Sequence, residues 1–152
     1  RMMDKKIWWD VRKEAYDKID ESTPFKIYGY DIDEEAIKIA RENAELAGVE
    51  DYIEFNVANA VDFKSEEEYG FIITNPPYGE RLEDADSVKM LYKELGYTFR
   101  KLKNWSYYLI TSFEDFEKEF GKDAQRKRKL YNGMLKTNLY QYPGPRPPRK
   151  ND

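Results

Sequence analysis

The chain has 152 residues, no histidine, no cysteine and a formal net charge of −4, with 37% charged and 16% aromatic residues. That length fits one domain, and the aromatic content marks a folded chain with a heavily charged surface, because disordered chains are poor in aromatics. The missing residue types exclude Ser-His-Asp and Cys-His triads, a thiol nucleophile, a Cys/His zinc site and acid–base work by histidine, which leaves carboxylates, amides, hydroxyls, lysine or a cofactor.

No run approaches 18 apolar residues, so no membrane span is expected, and no secretory signal pattern opens the chain. Charge is uneven. Residues 121–152 carry nine Lys/Arg and two Asp/Glu, whereas residues 1–120 carry 17 and 28. A basic end on an acidic body suits contact with a polyanion; a solvated basic end is the plainer alternative.

In chain order, the spacing of Ile7, Trp8, Val11, Ala15 and Ile19 predicts a helix over 4–20, broken by Ser22-Thr23-Pro24. Lys26 to Tyr30 is a short β-prone run ending at Asp31. Asp33 reads as the N-cap of a second helix, Glu34 and Glu35 as its acidic first turn, and Gly48 as its stop. Ala36, Ile37, Ala40, Ala44 and Ala47 fall on one face of it. Tyr52 to Val57 alternates as a strand, followed by a loop from Ala58 to Phe63.

Gly70 to Thr74 is a compact apolar strand that runs into Asn75-Pro76-Pro77-Tyr78. A long helix over about 84–103 places Val88, Leu91, Leu95, Phe99 and Leu102 inward, and Trp105 to Thr111 forms the next strand. Ser112 is a candidate cap for a short helix bearing Phe113, Phe116 and Phe120. Leu130–Met134 and Leu135–Tyr142 suit a closing hairpin around Asn132-Gly133 or just after it. The tail 143–152 is basic, holds four prolines and reads as extended or mobile. Trp8, Trp9 and Trp105 read as core or interface aromatics. Alternating strands and helices argue for an α/β fold with a parallel sheet, whose ligands bind at the C-terminal ends of the strands.

Three of those strand ends carry polar signals. A carboxylate at Asp31 suits the hydroxyls of a ribose, although a turn Asp is the simpler reading. Asn59 and Ala60 offer a side-chain amide and a backbone N–H that suit an adenine edge, but an Asn in a loop is usually turn chemistry.

Asn75-Pro76-Pro77-Tyr78 is more specific. Two prolines cannot extend a ladder, because neither has an N–H. They hold a rigid corner that presents the Asn75 oxygen and a proline carbonyl, two acceptors that suit a planar amino group with two hydrogens. An exocyclic amine is a poor nucleophile because its lone pair is delocalised into the ring. Hydrogen bonds from both of its hydrogens localise that pair and need no histidine. Tyr78 offers a face on which a base can stack, worth roughly 1–3 kcal/mol. Arg81, in the following Gly79-Glu80-Arg81, suits phosphate or base contact or simply pairs with Glu80. The Arg126-Lys127-Arg128-Lys129 run is a candidate phosphate contact, or a protected strand edge.

The segments "IYGYDIDEEAIKIARENAELAGVEDYIEF", "ITNPPYGERL" and "KLYNG…TNLYQY" together resemble class I S-adenosylmethionine-dependent methyltransferases. More narrowly, they resemble the RNA guanine-N2 methyltransferases of large-subunit (23S) ribosomal RNA, a group also labelled N6-adenine-specific DNA methylases. The resemblance covers nearly the whole chain and implies a Rossmann-like, mostly parallel sheet with a C-terminal antiparallel hairpin. It implies that Asp31, with the neighbouring Ile32, binds the cofactor ribose. Asn59, where the family often has Asp, and Ala60 would contact the adenine. Asn75 would lie against the cofactor and, with the Pro76 carbonyl, hold the target amine, while Pro77 shapes the corner and Tyr78 and Arg81 meet the substrate. It further implies a cytoplasmic enzyme acting on ribosomal RNA, with no metal and no membrane. Adenine-N6 methylation of DNA and methylation of a protein glutamine amide use the same amine-holding corner. A reading from another class is a non-catalytic nucleotide- or RNA-binding module.

The family's first strand and Gly-rich loop have no counterpart here, since the eight glycines are scattered. Residues 1–142 are therefore expected to be part of a catalytic domain, inactive alone, whose missing N-terminal segment is a partner, with 143–152 as a tail. A parallel sheet without its central strand leaves backbone edges open.

Overall fold

The computed structural model describes residues 4–20, 25–78 and 85–148. The chain divides into two compact units, residues 1–57 and 58–152.

The first unit holds α1 (Lys5–Asp17), β1 (Ile27–Asp31), α2 (Glu34–Ala47) and β2 (Ile53–Val57). The Asp4 side chain caps α1 by accepting from the Lys6 N–H at 2.9 Å, and the helix ends at Asp17, three residues before the expected end. Its apolar stripe is not buried. Trp8 and Trp9 are 55% and 60% exposed, so neither is a core residue of the described chain. In α2 the expected signals operate: Asp33 accepts from the Glu35 N–H at 2.9 Å, and Gly48 takes a left-handed φ of 67° that a side chain would strain. Ile37 and Ala44 are buried, whereas Ala47 at the frayed end is exposed. β1 and β2 pair in parallel from Ile27↔Ile53 to Asp31↔Val57, and α2 connects them as a βαβ crossover.

The second unit opens with a single 3₁₀ turn, Ala60–Asp62, inside the expected loop. β3 (Phe71–Thr74), α3 (Ala85–Arg100), β4 (Ser106–Thr111), α4 (Phe116–Phe120), β5 (Arg126–Asn132) and β6 (Leu135–Tyr142) follow. The sheet order is β3-β4-β6-β5. β3 and β4 are parallel, and β6 runs antiparallel to both β4 and β5.

One face of this sheet packs on α3 and α4 around Tyr92, Leu95, Phe99, Leu109, Phe116 and Phe120, none more than 1% exposed. Leu91 and Leu102, expected inward, are only partly buried, and Tyr92 takes the central place instead. Ser112 does not cap α4. The helix starts four residues later, after Asp115, because the Thr111 hydroxyl takes the Phe113 N–H at 3.0 Å and holds that segment as a turn.

The hairpin turns on Gly133-Met134, with Asn132 paired to Leu135. Gly133 has φ 61°, and among the described residues none but glycine has positive φ, as a type II′ loop requires of its first position. The first hairpin strand begins at Arg126, four residues earlier than expected, because β6 offers it a partner. The start of the tail is anchored: the Gly144 N–H donates to Ser106 Oγ at 2.9 Å. The Trp105 indole donates to the Glu67 carbonyl at 2.9 Å and meets Phe63 edge-on, as a partly buried aromatic.

Among the described residues each sheet ends in strands with one unpaired edge, β1 and β2 in the first and β3 and β5 in the second. Phe71 and Ile73 on β3 are 73% and 78% exposed. Among the described residues no helix is long and apolar enough to cross a membrane.

Candidate active site

In the first unit, Asp31 closes β1 at its C-terminal end and is exposed, as is Ile32 beside it. One Asp31 carboxylate oxygen accepts from the Asp33 N–H at 2.9 Å. Asp31 thus shapes the strand-to-helix turn and Asp33 caps the helix. Each carboxylate oxygen carries two lone pairs, so Asp31 keeps acceptor capacity for a diol.

In the second unit, Asn59 and Ala60 are both exposed. The Asn59 side-chain oxygen accepts from the Val61 N–H at 3.2 Å, capping the 3₁₀ turn. That is turn chemistry, and it uses the Asn59 oxygen and not its amino group. The buried Thr98 hydroxyl of α3 donates to the Val61 carbonyl at 2.6 Å and fixes the turn from below.

The ladder of β3 ends at Thr74↔Leu109. Beyond it Pro76 is buried, while Asn75 and Pro77 are exposed and Tyr78 is half-buried. The Tyr78 hydroxyl donates to Asn75 Oδ1. Tyr78 was expected to offer only a stacking face; it also orients the Asn75 amide. An amide oxygen has two lone pairs, so Asn75 retains one for an incoming N–H.

Two residues absent from the sequence reading complete the corner. Tyr92, fully buried on α3, donates from its hydroxyl to the Pro77 carbonyl at 2.7 Å. Its oxygen also lies 2.7 Å from Thr111 Oγ1, at the C-terminal end of β4. Burial pushes the Tyr92 hydroxyl up to about 12, against a smaller opposing effect of the Thr111 hydrogen bond. It is therefore a protonated donor at neutral pH. Its spacing from Val88, Leu95 and Phe99 fits a helical stripe, but Leu91 fits it equally, so the sequence carried no signal that singled out Tyr92.

Gly79, Glu80 and Arg81 lie outside the described residues. The basic run forms β5, the edge strand. Lys127 is ion-paired with Glu117 and lies 5.6 Å from the centre of the Tyr140 ring; Arg126, Arg128 and Lys129 are exposed. Among the described residues no three Asp or Glu side chains cluster as metal ligands.

The chain is similar to known proteins in sequence and in fold. The chain is 45% identical over 138 residues to the Bacillus subtilis protein named "Putative RNA methyltransferase YpsC", covering 91% of this chain and 36% of that one. It is 37% identical to a "Ribosomal RNA large subunit methyltransferase K/L" of Shewanella, covering 92% of this chain and 21% of that protein. The chain thus spans about a third or less of the length of these curated relatives. A solved structure from Clostridium difficile 630, described as a possible methylase, superposes with a TM-score of 0.86 at 78% identity, over 99% of this chain and 40% of that one. SMU.472, "a putative methyltransferase complexed with SAH", superposes at 0.85 with 44% identity, over 96% and 39%. The family model described as "RMKL-like, methyltransferase domain" matches residues 1–141, and the chain belongs to that family.

Proposed function

We propose that this chain carries the amine-holding part of an S-adenosylmethionine-dependent RNA methyltransferase whose target is the exocyclic N2 amine of a guanine in large-subunit ribosomal RNA. The observation that carries this reading is the Asn75-Pro76-Pro77-Tyr78 corner at the C-terminal end of β3. Asn75 is outward and oriented by Tyr78, and Pro77 is tied down from the core. An amine donating to Asn75 Oδ1 and to the Pro76 carbonyl keeps its lone pair out of the ring system and directed at an electrophile. Rate enhancement then comes mostly from positioning. No basic side chain is needed, which agrees with a chain that lacks histidine. The Tyr78 ring stacks on the base.

S-adenosylmethionine, when bound, supplies an electrophilic methyl group on a sulfonium. The residues suit it within each unit taken by itself. In the first unit Asp31, with Ile32 alongside, is an exposed carboxylate for the ribose hydroxyls. In the second, Asn59 and Ala60 are exposed and offer an amide and a backbone N–H for the adenine. The exposed Arg126, Arg128 and Lys129 of β5 suit a phosphate backbone, and Arg81 is assigned to the same substrate. The relatives named as RNA methyltransferases support an RNA substrate.

The test incubates the full-length enzyme with unmodified large-subunit ribosomal RNA, with DNA, and with labelled S-adenosylmethionine, then digests and identifies the methylated nucleoside. N2-methylguanosine from RNA is expected. N6-methyladenine from DNA would move the assignment to the other substrate of the same corner. Label in neither would favour a nucleotide-binding module. In the same assay Asn75→Ala is expected to reduce turnover by about 100-fold or more, because the nucleophile loses its alignment, with cofactor affinity within a few-fold.

A further inference from the structure

The amine-holding corner has almost no backbone means of staying in place. The β3 ladder ends at Thr74, and neither Pro76 nor Pro77 has an N–H to donate. The two prolines at its centre can be tied down only through their carbonyls. The Pro77 carbonyl is tied, across 15 residues of sequence, to the Tyr92 hydroxyl.

The protons of this link can be assigned one by one. The Pro77 carbonyl only accepts, so the single hydroxyl hydrogen of Tyr92 goes to it. The 2.7 Å contact between Tyr92 and Thr111 must then be donated by Thr111. Thr111 in turn accepts the Phe113 N–H at 3.0 Å. The result is one directed chain: Phe113 N–H to Thr111, Thr111 to Tyr92, Tyr92 to the Pro77 carbonyl. Each donor polarises the next. Tyr92 and Thr111 are both fully buried, so water does not compete for the bond between them.

Packing alone does not require the hydroxyl. The Tyr92 ring lies 5.4 Å from Phe113 and 5.0 Å from Phe116, the latter edge-on, and a phenylalanine would fill the same space. The hydroxyl serves the chain of hydrogen bonds, and that chain ends on the corner.

We propose that Tyr92 is a positioning residue for methyl transfer: its hydroxyl, held by Thr111, fixes the Pro77 carbonyl and so keeps the Asn75 and Pro76 acceptors aimed at the amine. This rests on the amine-holding role of the corner. Tyr92 touches neither base nor cofactor and acts through the backbone of residues 75–77.

The test uses the full-length enzyme, labelled S-adenosylmethionine and unmodified large-subunit ribosomal RNA. Tyr92→Phe is expected to lower kcat by about 10- to 100-fold, the scale of a small misplacement of reacting groups. KM for the RNA and affinity for S-adenosylhomocysteine by calorimetry should stay within about threefold. Thr111→Val should lower kcat in the same direction but less, and Thr111→Ser, which keeps the hydroxyl, should restore it. A purely structural loss would instead reduce the active fraction and leave kcat per active site unchanged. Should Tyr92→Phe not fold, the Thr111→Val and Thr111→Ser pair decides. Wild-type kcat in both Tyr92→Phe and Thr111→Val, with Asn75→Ala inactive, overturns the role of Tyr92 alone. Wild-type kcat in Asn75→Ala overturns the role of the corner and this inference with it.

Discussion

Gly96 sets two well-calibrated effects against each other. It sits in the interior of α3, one turn after Tyr92 and on the same face, where alanine is favoured over glycine by about 1 kcal/mol. A Cβ at this position would overlap the Phe120 carbonyl oxygen of α4. It would also come within 2.9 Å of the carbonyl carbon and 2.8 Å of Arg100 Nη1. The arginine tip can move, but the Phe120 backbone closes α4 and is held by buried rings on both sides. Ordinary carbon–carbon contact begins near 3.5 Å, so relieving the carbonyl carbon alone would part the two helices by about 0.6 Å, and the nearer carbonyl oxygen demands more. Overpacking of this kind costs roughly 1–3 kcal/mol, more than the helix-propensity gain. The Arg100 hydrogen bond to the Phe120 carbonyl is lost as well, about another 1 kcal/mol. Gly96→Ala is therefore expected to destabilise by roughly 1–3 kcal/mol. Because Tyr92 rides on the same face, it should also lower turnover. Urea unfolding of the full-length enzyme followed by aromatic fluorescence, with turnover measured alongside, is the assay. Gly48→Ala is the control. That glycine has open space around it and only its left-handed φ to lose, so about 1 kcal/mol of stability should go with no change in turnover. If Gly96→Ala is as stable as wild type, helix propensity outweighs the contact and the α3–α4 interface is not tight.

Two further predictions concern pH and local stability. Tyr92 is held neutral up to about 12, while an unfolded tyrosine ionises near 10. The stability from its protonated state is thus complete below about pH 10 and is lost between about 10 and 12, at up to about 1.4 kcal/mol per pH unit. Burial shifts Tyr140 and Tyr142 in the same direction. Unfolding midpoints between pH 8 and 11 should therefore fall steeply above pH 10, and less steeply by about one proton in Tyr92→Phe; an unchanged slope in that variant would show that Tyr92 ionises freely in the folded state. In the 152-residue chain, amide hydrogen exchange should be slowest in α3, β4 and β6. Among its described residues the first unit buries only Ile37 and Ala44 beneath a two-stranded sheet, which is marginal in water, and equal protection in α2 would contradict that ranking.

What the sequence discloses and what it withholds divide along a physical line. The Asp33 cap, the Gly48 stop and the end of β3 at two prolines are legible because the responsible chemistry lies within three or four residues. The shape of the corner is legible for the same reason, since proline restrictions are local, whereas the Tyr78 hydroxyl bond to Asn75 is not announced by those four letters. The anchoring of that corner is not legible, since Tyr92 and Thr111 lie 15 and 34 residues beyond Pro77 in sequence. Leu91 and Tyr92 both fit a helical stripe, and only packing against Phe113 and Phe116 decides which turns inward. The basic run behaves likewise. Four consecutive charges show no alternation, so the strand-edge reading of Arg126–Lys129 rests only on the way lysines protect edges. Pairing with β6 makes it one, which leaves Lys127 on Glu117 and three other cations exposed on an edge. Trp8 and Trp9 are the converse case. Their spacing announces a buried face, yet among the described residues nothing covers it. Periodicity gives the side of a helix that seeks cover, whereas the cover itself is a property of the rest of the fold.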